Sequence, residues 1–131
     1  MSRPADLSTI KVGSYLIIEG EPCRVVEYDK SKPGKHGSAK ARVTGIGIFD
    51  SVKRVMVSPV SAMIQIPIVE KKTAQVISLL PDAVQLMDLE NFEIFETPMP
   101  DDQGIKEKLS SGMEVELWRI LGKNKISRVK G

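Results

Sequence analysis

The residues best placed to do chemistry lie in one short stretch, Ser31-Lys32-Pro33-Gly34-Lys35-His36-Gly37-Ser38-Ala39-Lys40. Lys32-Pro33-Gly34-Lys35 carries the signal of a type II turn. Proline presets φ near −65° at the second position, and glycine at the third accepts φ > 0. Gly37 adds a second permissive point two residues after Lys35. Strand-like runs flank the stretch, so the pattern predicts an arm with Lys35 near its tip. No carboxylate adjoins Lys35, so its amine projects outward, and the glycines let another surface approach the backbone.

Several kinds of chemistry compete for this stretch. A Gly-Lys pair at a turn is often only a solvated loop. A Walker A loop needs Gly-Lys-Ser/Thr opening a helix, and this stretch opens a strand. His36 as a general base lacks an orienting carboxylate and a nucleophile within the arm. A Schiff-base lysine needs a desolvated pocket, which a glycine-flanked tip does not provide. The residues therefore name no catalytic group, and the chain reads as a non-enzyme.

The charge pattern makes the arm distinctive. From residue 30 to 42 the bases Lys30, Lys32, Lys35, Lys40 and Arg42 stand without an acid. From 73 to 105 the acids Asp82, Asp88, Glu90, Glu93, Glu96, Asp101 and Asp102 stand without a base, and read as a solvated face. Arg119, Lys123, Lys125, Arg128 and Lys130 make a basic end. Lys30, Lys32, Lys40 and Arg42 suit sequence-independent attraction to phosphates. No aromatic lies between Lys30 and Ile48, which argues against base stacking on the arm. Trp118 alternates with Glu116. It belongs either to a core or domain interface, or to a surface where it and the nearby bases could face RNA.

The elements that must position the arm are short strands. The expected strands are 14–19, 23–29, 39–49, 53–57, 64–69, 74–80, 83–88, 92–96, 113–121 and 125–129, punctuated by Gly, Pro, Asp and Ser. Met113, Val115 and Leu117 alternate with Glu114 and Glu116, the period of a half-buried strand. One helix is expected near 102–110, with Asp102 as N-cap, Ile105 and Leu109 one turn apart, and Gly112 as its stop. Three strands, a helix and two strands is the order of an OB-fold, and the earlier helix-free strands suit an SH3-like barrel. The fold is therefore read as all-β: an SH3-like barrel over 1–69 that carries the arm, then an OB-fold barrel over 70–131 with one short helix. Cys23 and the six methionines are read as core residues.

Composition narrows the setting. One cysteine and one histidine leave no internal disulfide and no Cys- or His-rich metal centre. No apolar run reaches the ~18 residues of a membrane span, and the start lacks an apolar signal region. A cytoplasmic chain without membrane contact is expected.

The arm closely resembles the modification loop of the archaeal and eukaryotic translation initiation factor 5A family, the hypusine-containing factors. The resemblance covers essentially the whole chain. His36-Gly37 and the two-domain length separate it from bacterial elongation factor P, which shares the Pro-Gly-Lys turn but carries a third domain. The short N-terminus points to the archaeal branch. The resemblance implies that Lys35 receives a spermidine-derived aminobutyl group from deoxyhypusine synthase, an NAD-dependent enzyme, often followed by hydroxylation. Pro33, Gly34, His36, Gly37, Ser38 and Ala39 would support the loop. It further implies ribosome (rRNA) and peptidyl-tRNA as partners, promotion of peptide-bond formation at proline runs and of termination, no bound cofactor, and a monomer. The alternative is an unmodified RNA-binding or RNA-chaperone module of paired barrels.

Overall fold

A computed structural model describes residues 1–31 and 39–130. The described chain divides into two compact units, Met1–Ile68 and Val69–Gly131. Each is built of curled antiparallel sheet, one SH3-like and the other an OB-fold.

The first unit contains β1 (Ser2–Asp6), a 3₁₀ turn (Leu7–Thr9), β2 (Tyr15–Ile18), β3 (Glu21–Ser31), β4 (Lys40–Gly47), β5 (Lys53–Pro59) and β6 (Met63–Pro67). Four strands pair in the order β2-β3-β4-β5, and β1 pairs with β6 as a separate ribbon. Inward positions close a core of Leu7, Ile10, Leu16, Ile18, Cys23, Val25, Ala41, Val43 and Ile64. Cys23 is fully buried, and burial pushes its thiol pKa up although Arg54 opposes this. That environment keeps it a packing residue rather than a nucleophile.

The second unit runs β7 (Val69–Leu79), β8 (Ala83–Asp88), β9 (Ile94–Pro98), α1 (Gln103–Lys108), β10 (Glu114–Ile120) and β11 (Lys123–Val129). The sheet order is β11-β10-β7-β8-β9, with α1 between the third and fourth strands of the unit. Ala74, Val76, Val84, Leu86, Leu109, Val115, Leu117 and Ile126 form its core. Val115 and Leu117 are buried as their alternation requires, and Glu114 is exposed. Asp102 caps α1, its Oδ1 accepting from Ile105 N at 3.1 Å.

Several sequence expectations need correction. β1 and the 3₁₀ turn were not foreseen, because Ser-Arg-Pro-Ala-Asp has no alternation and contains a proline. The strand exists through its partner, with Pro4 opposite Gln65 in a two-stranded ribbon where proline is tolerated. Residues 70–73, between the expected strands 64–69 and 74–80, belong to β7, which begins at Val69. Their charges find partners: Lys72 Nζ lies 3.5 Å from Asp88 Oδ2 and 3.4 Å from Glu90 Oε2, and Lys71 Nζ lies 5.9 Å from the Trp118 ring centre. Asp88 is therefore not part of a solvated face but buried, with Oδ1 accepting from the Glu90 and Asn91 N–H groups. The Glu90 N–H is the main force holding the Asp88 carboxyl below its ordinary pKa, against the effect of burial. The helix stops at Lys108 with Leu109 as an extended C-cap, and Gly112 (φ 88°) serves the turn before β10. None of the six methionines is fully buried. Met1 and Met63 are exposed and the others half-buried, so branched aliphatics fill both cores.

Gly45 marks a tight approach to the core beneath β4. A Cβ there would stand 2.9 Å from Cys23 Cβ and 3.0 Å from Ile18 Cδ1. Gly45→Ala is expected to destabilise the first unit by about 1–3 kcal/mol, the usual cost of overpacking. Thermal and urea denaturation would measure it, and unchanged midpoints would refute the packing described.

Candidate functional site

The antiparallel pair β3–β4 flanks the stretch read as the arm. Its register runs Tyr28↔Val43, Asp29↔Arg42, Lys30↔Ala41 and Ser31↔Lys40, below a bulge between Val25 and Glu27. β5 flanks β4 with Lys40↔Pro59, Ala41↔Ser58, Arg42↔Val57 and Val43↔Met56. Register partners share a sheet face, so the pairing sorts the basic residues.

Lys40 and Arg42 share the outward face with Ser31, Asp29 and Val57. Lys30 shares the opposite face with Ala41 and Ser58, but is exposed because it lies near the strand end. The cluster read from sequence is thus split by the sheet. Asp29, one residue outside the acid-free window, is the register partner of Arg42, so an acid stands on the same face. Ala39 is half-buried, and its carbonyl accepts from Val60 N at 3.0 Å. Lys32, Pro33, Gly34, Lys35, His36, Gly37 and Ser38 lie outside the described residues.

Residues that sequence reasoning missed hold the arm's base. Tyr28 Oη donates to the Leu7 carbonyl at 3.2 Å. Leu7 N donates to Ala62 O, and Ser8 N to Val60 O, each at 3.0 Å. Asp6 caps the 3₁₀ turn, accepting from Ser8 N at 3.0 Å and Ser8 Oγ at 2.8 Å. The Ser8 backbone N–H, with the hydroxyl second, draws the Asp6 carboxyl below its usual pKa. The one usable sequence sign was Asp6-Leu7-Ser8-Thr9, an acid followed by small polar residues, which is a capping signature.

The opposite end of the β4–β5 hairpin is fixed by charge. Arg54 grips Asp50 with two hydrogen bonds, Nη1 to Oδ1 at 3.1 Å and Nη2 to Oδ2 at 2.8 Å, while Val52 N donates to Oδ1 at 3.0 Å. A Cβ on Gly47 would overlap the Asp50 carboxylate, so a larger residue there would displace Asp50 from its place against Arg54.

In the second unit the bases of the C-terminal run are engaged separately. Arg119 Nε donates to Asn124 Oδ1 at 2.9 Å, and its guanidinium lies 5.9 Å from the Phe95 ring centre. Arg128 lies 3.4 Å from Glu116, and Lys130 Nζ donates to Thr73 Oγ1 at 2.8 Å. Trp118 is half-buried with Lys71 over its ring. Among the described residues no group of three or more His, Cys, Asp or Glu could hold a metal ion, and no helix is long and apolar enough to cross a membrane.

Residues 1–62 match the family model "Translation initiation factor 5A-like, N-terminal", and residues 68–130 match "Eukaryotic elongation factor 5A hypusine, DNA-binding OB fold". A protein of Thermofilum pendens named translation initiation factor 5A is 55% identical over 129 residues, spanning 98% of each chain. Its counterpart from Pyrococcus furiosus is 50% identical, covering 95% of this chain and 92% of that one. The solved structure of eukaryotic translation initiation factor 5A from Methanococcus jannaschii superposes with a TM-score of 0.88 at 44% identity, over 98% of this chain and 94% of that one.

The Arg54 guanidinium, aided by the Val52 N–H, lowers the Asp50 carboxyl to a pKa of about 2. An unfolded aspartate titrates near ~3.9. A lowered folded-state pKa means that this stabilisation is complete above the unfolded value and fades as pH falls toward about 2. Asp50→Asn is expected to flatten that stretch of the acid-denaturation curve. Melting temperatures across the range would check it, and an acid limb as steep as the parent's would contradict it.

Proposed function

The chain belongs to the translation initiation factor 5A family, and from that membership we propose that it acts on the ribosome through an aminobutylated Lys35. The motif Gly34-Lys35-His36-Gly37 carries this reading: it lies in sequence between Ser31 and Lys40, the register partners that end the β3–β4 pairing.

The modification is a group transfer that balances without net redox change. The C–N bond joining the secondary amine of spermidine to its butyl carbon breaks. A C–N bond forms between that carbon and Lys35 Nζ, and the displaced proton leaves on 1,3-diaminopropane. Deoxyhypusine synthase is the enzyme this step calls for. The product is a slender rod with two amines, both protonated near pH 7 because the unperturbed lysine pKa is about 10.4. Such a rod enters an RNA-walled cleft and hydrogen-bonds phosphates and sugars. A planar guanidinium has neither the reach nor the shape, and is not a substrate for the transfer.

The physical task is positioning. The ribosome already catalyses peptide-bond formation, and orientation alone supplies up to about 7–11 kcal/mol in ideal cases. Proline is a poor nucleophile, so a displaced peptidyl-tRNA becomes limiting at proline runs. The dication would hold the acceptor end in place for bond formation and for termination. Lys40 and Arg42 on one face, with Lys30 and Lys32, would attract rRNA and tRNA phosphates. The chain would work in the cytoplasm as a monomer.

Lys35→Arg is expected to keep thermal stability within about ±0.5 kcal/mol of the parent, while abolishing relief of stalling in a reconstituted system translating an oligoproline message. Full rescue by this variant would defeat the proposal and favour an unmodified RNA-binding module. Arg42→Gln is expected to reduce the salt slope of ribosome association by about one, the signature of one lost phosphate contact. An unchanged slope in sedimentation assays would remove Arg42 from the RNA-facing set.

A further inference from the structure

The hydrogen bonds at the arm's base form a closed circuit. From β4, the Ala39 carbonyl accepts from Val60 N. From Val60 and Ala62 it passes to the 3₁₀ turn, as Ser8 N donates to Val60 O and Leu7 N to Ala62 O. From Leu7 it returns to β3, whose Tyr28 hydroxyl donates to the Leu7 carbonyl. Both strands of the arm are thereby tied to the same two backbone segments. Leu7 is fully buried in the core that also holds Ala41 and Val43, so the clasp is seated in the core.

The Tyr28 hydroxyl is the one side-chain link in this circuit. The other links are backbone pairs and persist whatever side chains are present. Tyr28 also lies between the bulge at Val25/Glu27 and the strand end at Ser31. A bulge bends and twists a strand, so a tie just beyond it controls the direction of β3 as far as Ser31, where its pairing with Lys40 ends.

We propose that Tyr28 is a positioning residue: its bond to Leu7 fixes the paired ends of β3 and β4, Ser31 and Lys40, between which Lys35 is offered in sequence to the modifying enzyme. The inference rests on Lys35 being the modified lysine. Without the hydroxyl, the arm's base populates other orientations, and only the competent fraction binds. Apparent affinity then falls in proportion to that fraction. Once the arm is bound, the enzyme itself holds the lysine, so the chemical step is unchanged. The signature is a higher KM at constant kcat.

The test uses the full chain as substrate of purified deoxyhypusine synthase, with spermidine and NAD, well below the melting temperature. Tyr28→Phe is expected to raise KM about fivefold, the population ratio governed by one hydrogen bond of ordinary net strength, with kcat held. Asp6→Ala, which loosens the same clasp by uncapping the 3₁₀ turn, is expected to raise KM likewise. The double variant is expected to raise it no further than the larger single effect, because both act through one device. Asp50→Ala, at the other end of the β4–β5 hairpin, is expected to leave KM at the parent value although it too costs stability. The proposal is overturned if Tyr28→Phe keeps the parent's KM, if Asp50→Ala raises KM equally, or if the effects of Tyr28→Phe and Asp6→Ala simply multiply. Failure of the parent chain to accept any aminobutyl group would instead overturn the reading of Lys35, and the clasp's role with it.

Discussion

The β3–β4 pairing is the constraint from which the rest of the first unit follows. An isolated two-stranded ribbon is marginal in water. This ribbon is held because its base is part of the barrel. Ala41 and Val43 are fully buried, β5 runs alongside β4, and the 3₁₀ turn is packed beneath. Hydrogen bonds then fix both strands to the same support. The arrangement gives the strand ends Ser31 and Lys40 a rigid support.

Charge is handled differently by the two units. In the first, Lys40 and Arg42 stay exposed on the outward face, with Asp29 the nearest counterweight in register. In the second, the charges at the start of β7 are absorbed into the fold, with Lys72 joining Asp88 and Glu90, and Lys71 lying over Trp118. A buried carboxylate such as Asp88 is tolerated because backbone N–H groups and an ammonium meet it. The contrast leaves the arm face as cationic surface, the property that long-range attraction to phosphate requires.

Much of this organisation was legible in the residues. Alternation at Val115 and Leu117, the cap at Asp102, and the order of strands around one helix identified the second barrel. The strands flanking the Pro-Gly-Lys-His-Gly run were legible too, as β3 and β4, whereas the run itself lies outside the described residues. What escaped was structure made by partners distant in sequence. β1 exists because β6 lies beside it, not because Ser-Arg-Pro-Ala-Asp favours extension. Tyr28 gave no sign of reaching Leu7, 21 residues away in sequence. The split of Lys30 from Lys40 and Arg42 depends on register, which a linear count of bases does not contain. Phe92 illustrates the same limit, since a strand-like aromatic instead occupies a turn with φ 62°, after Asp88 has organised the backbone before it.

The central claim is that this fold exists to present a lengthened lysine. Its most direct test is peptide-mapped mass spectrometry of the chain purified from cells in which it is naturally made. The account predicts one aminobutyl or hydroxylated aminobutyl addition, confined to Lys35 and present on nearly every molecule. A chain active in those cells with an unaltered Lys35 would contradict it.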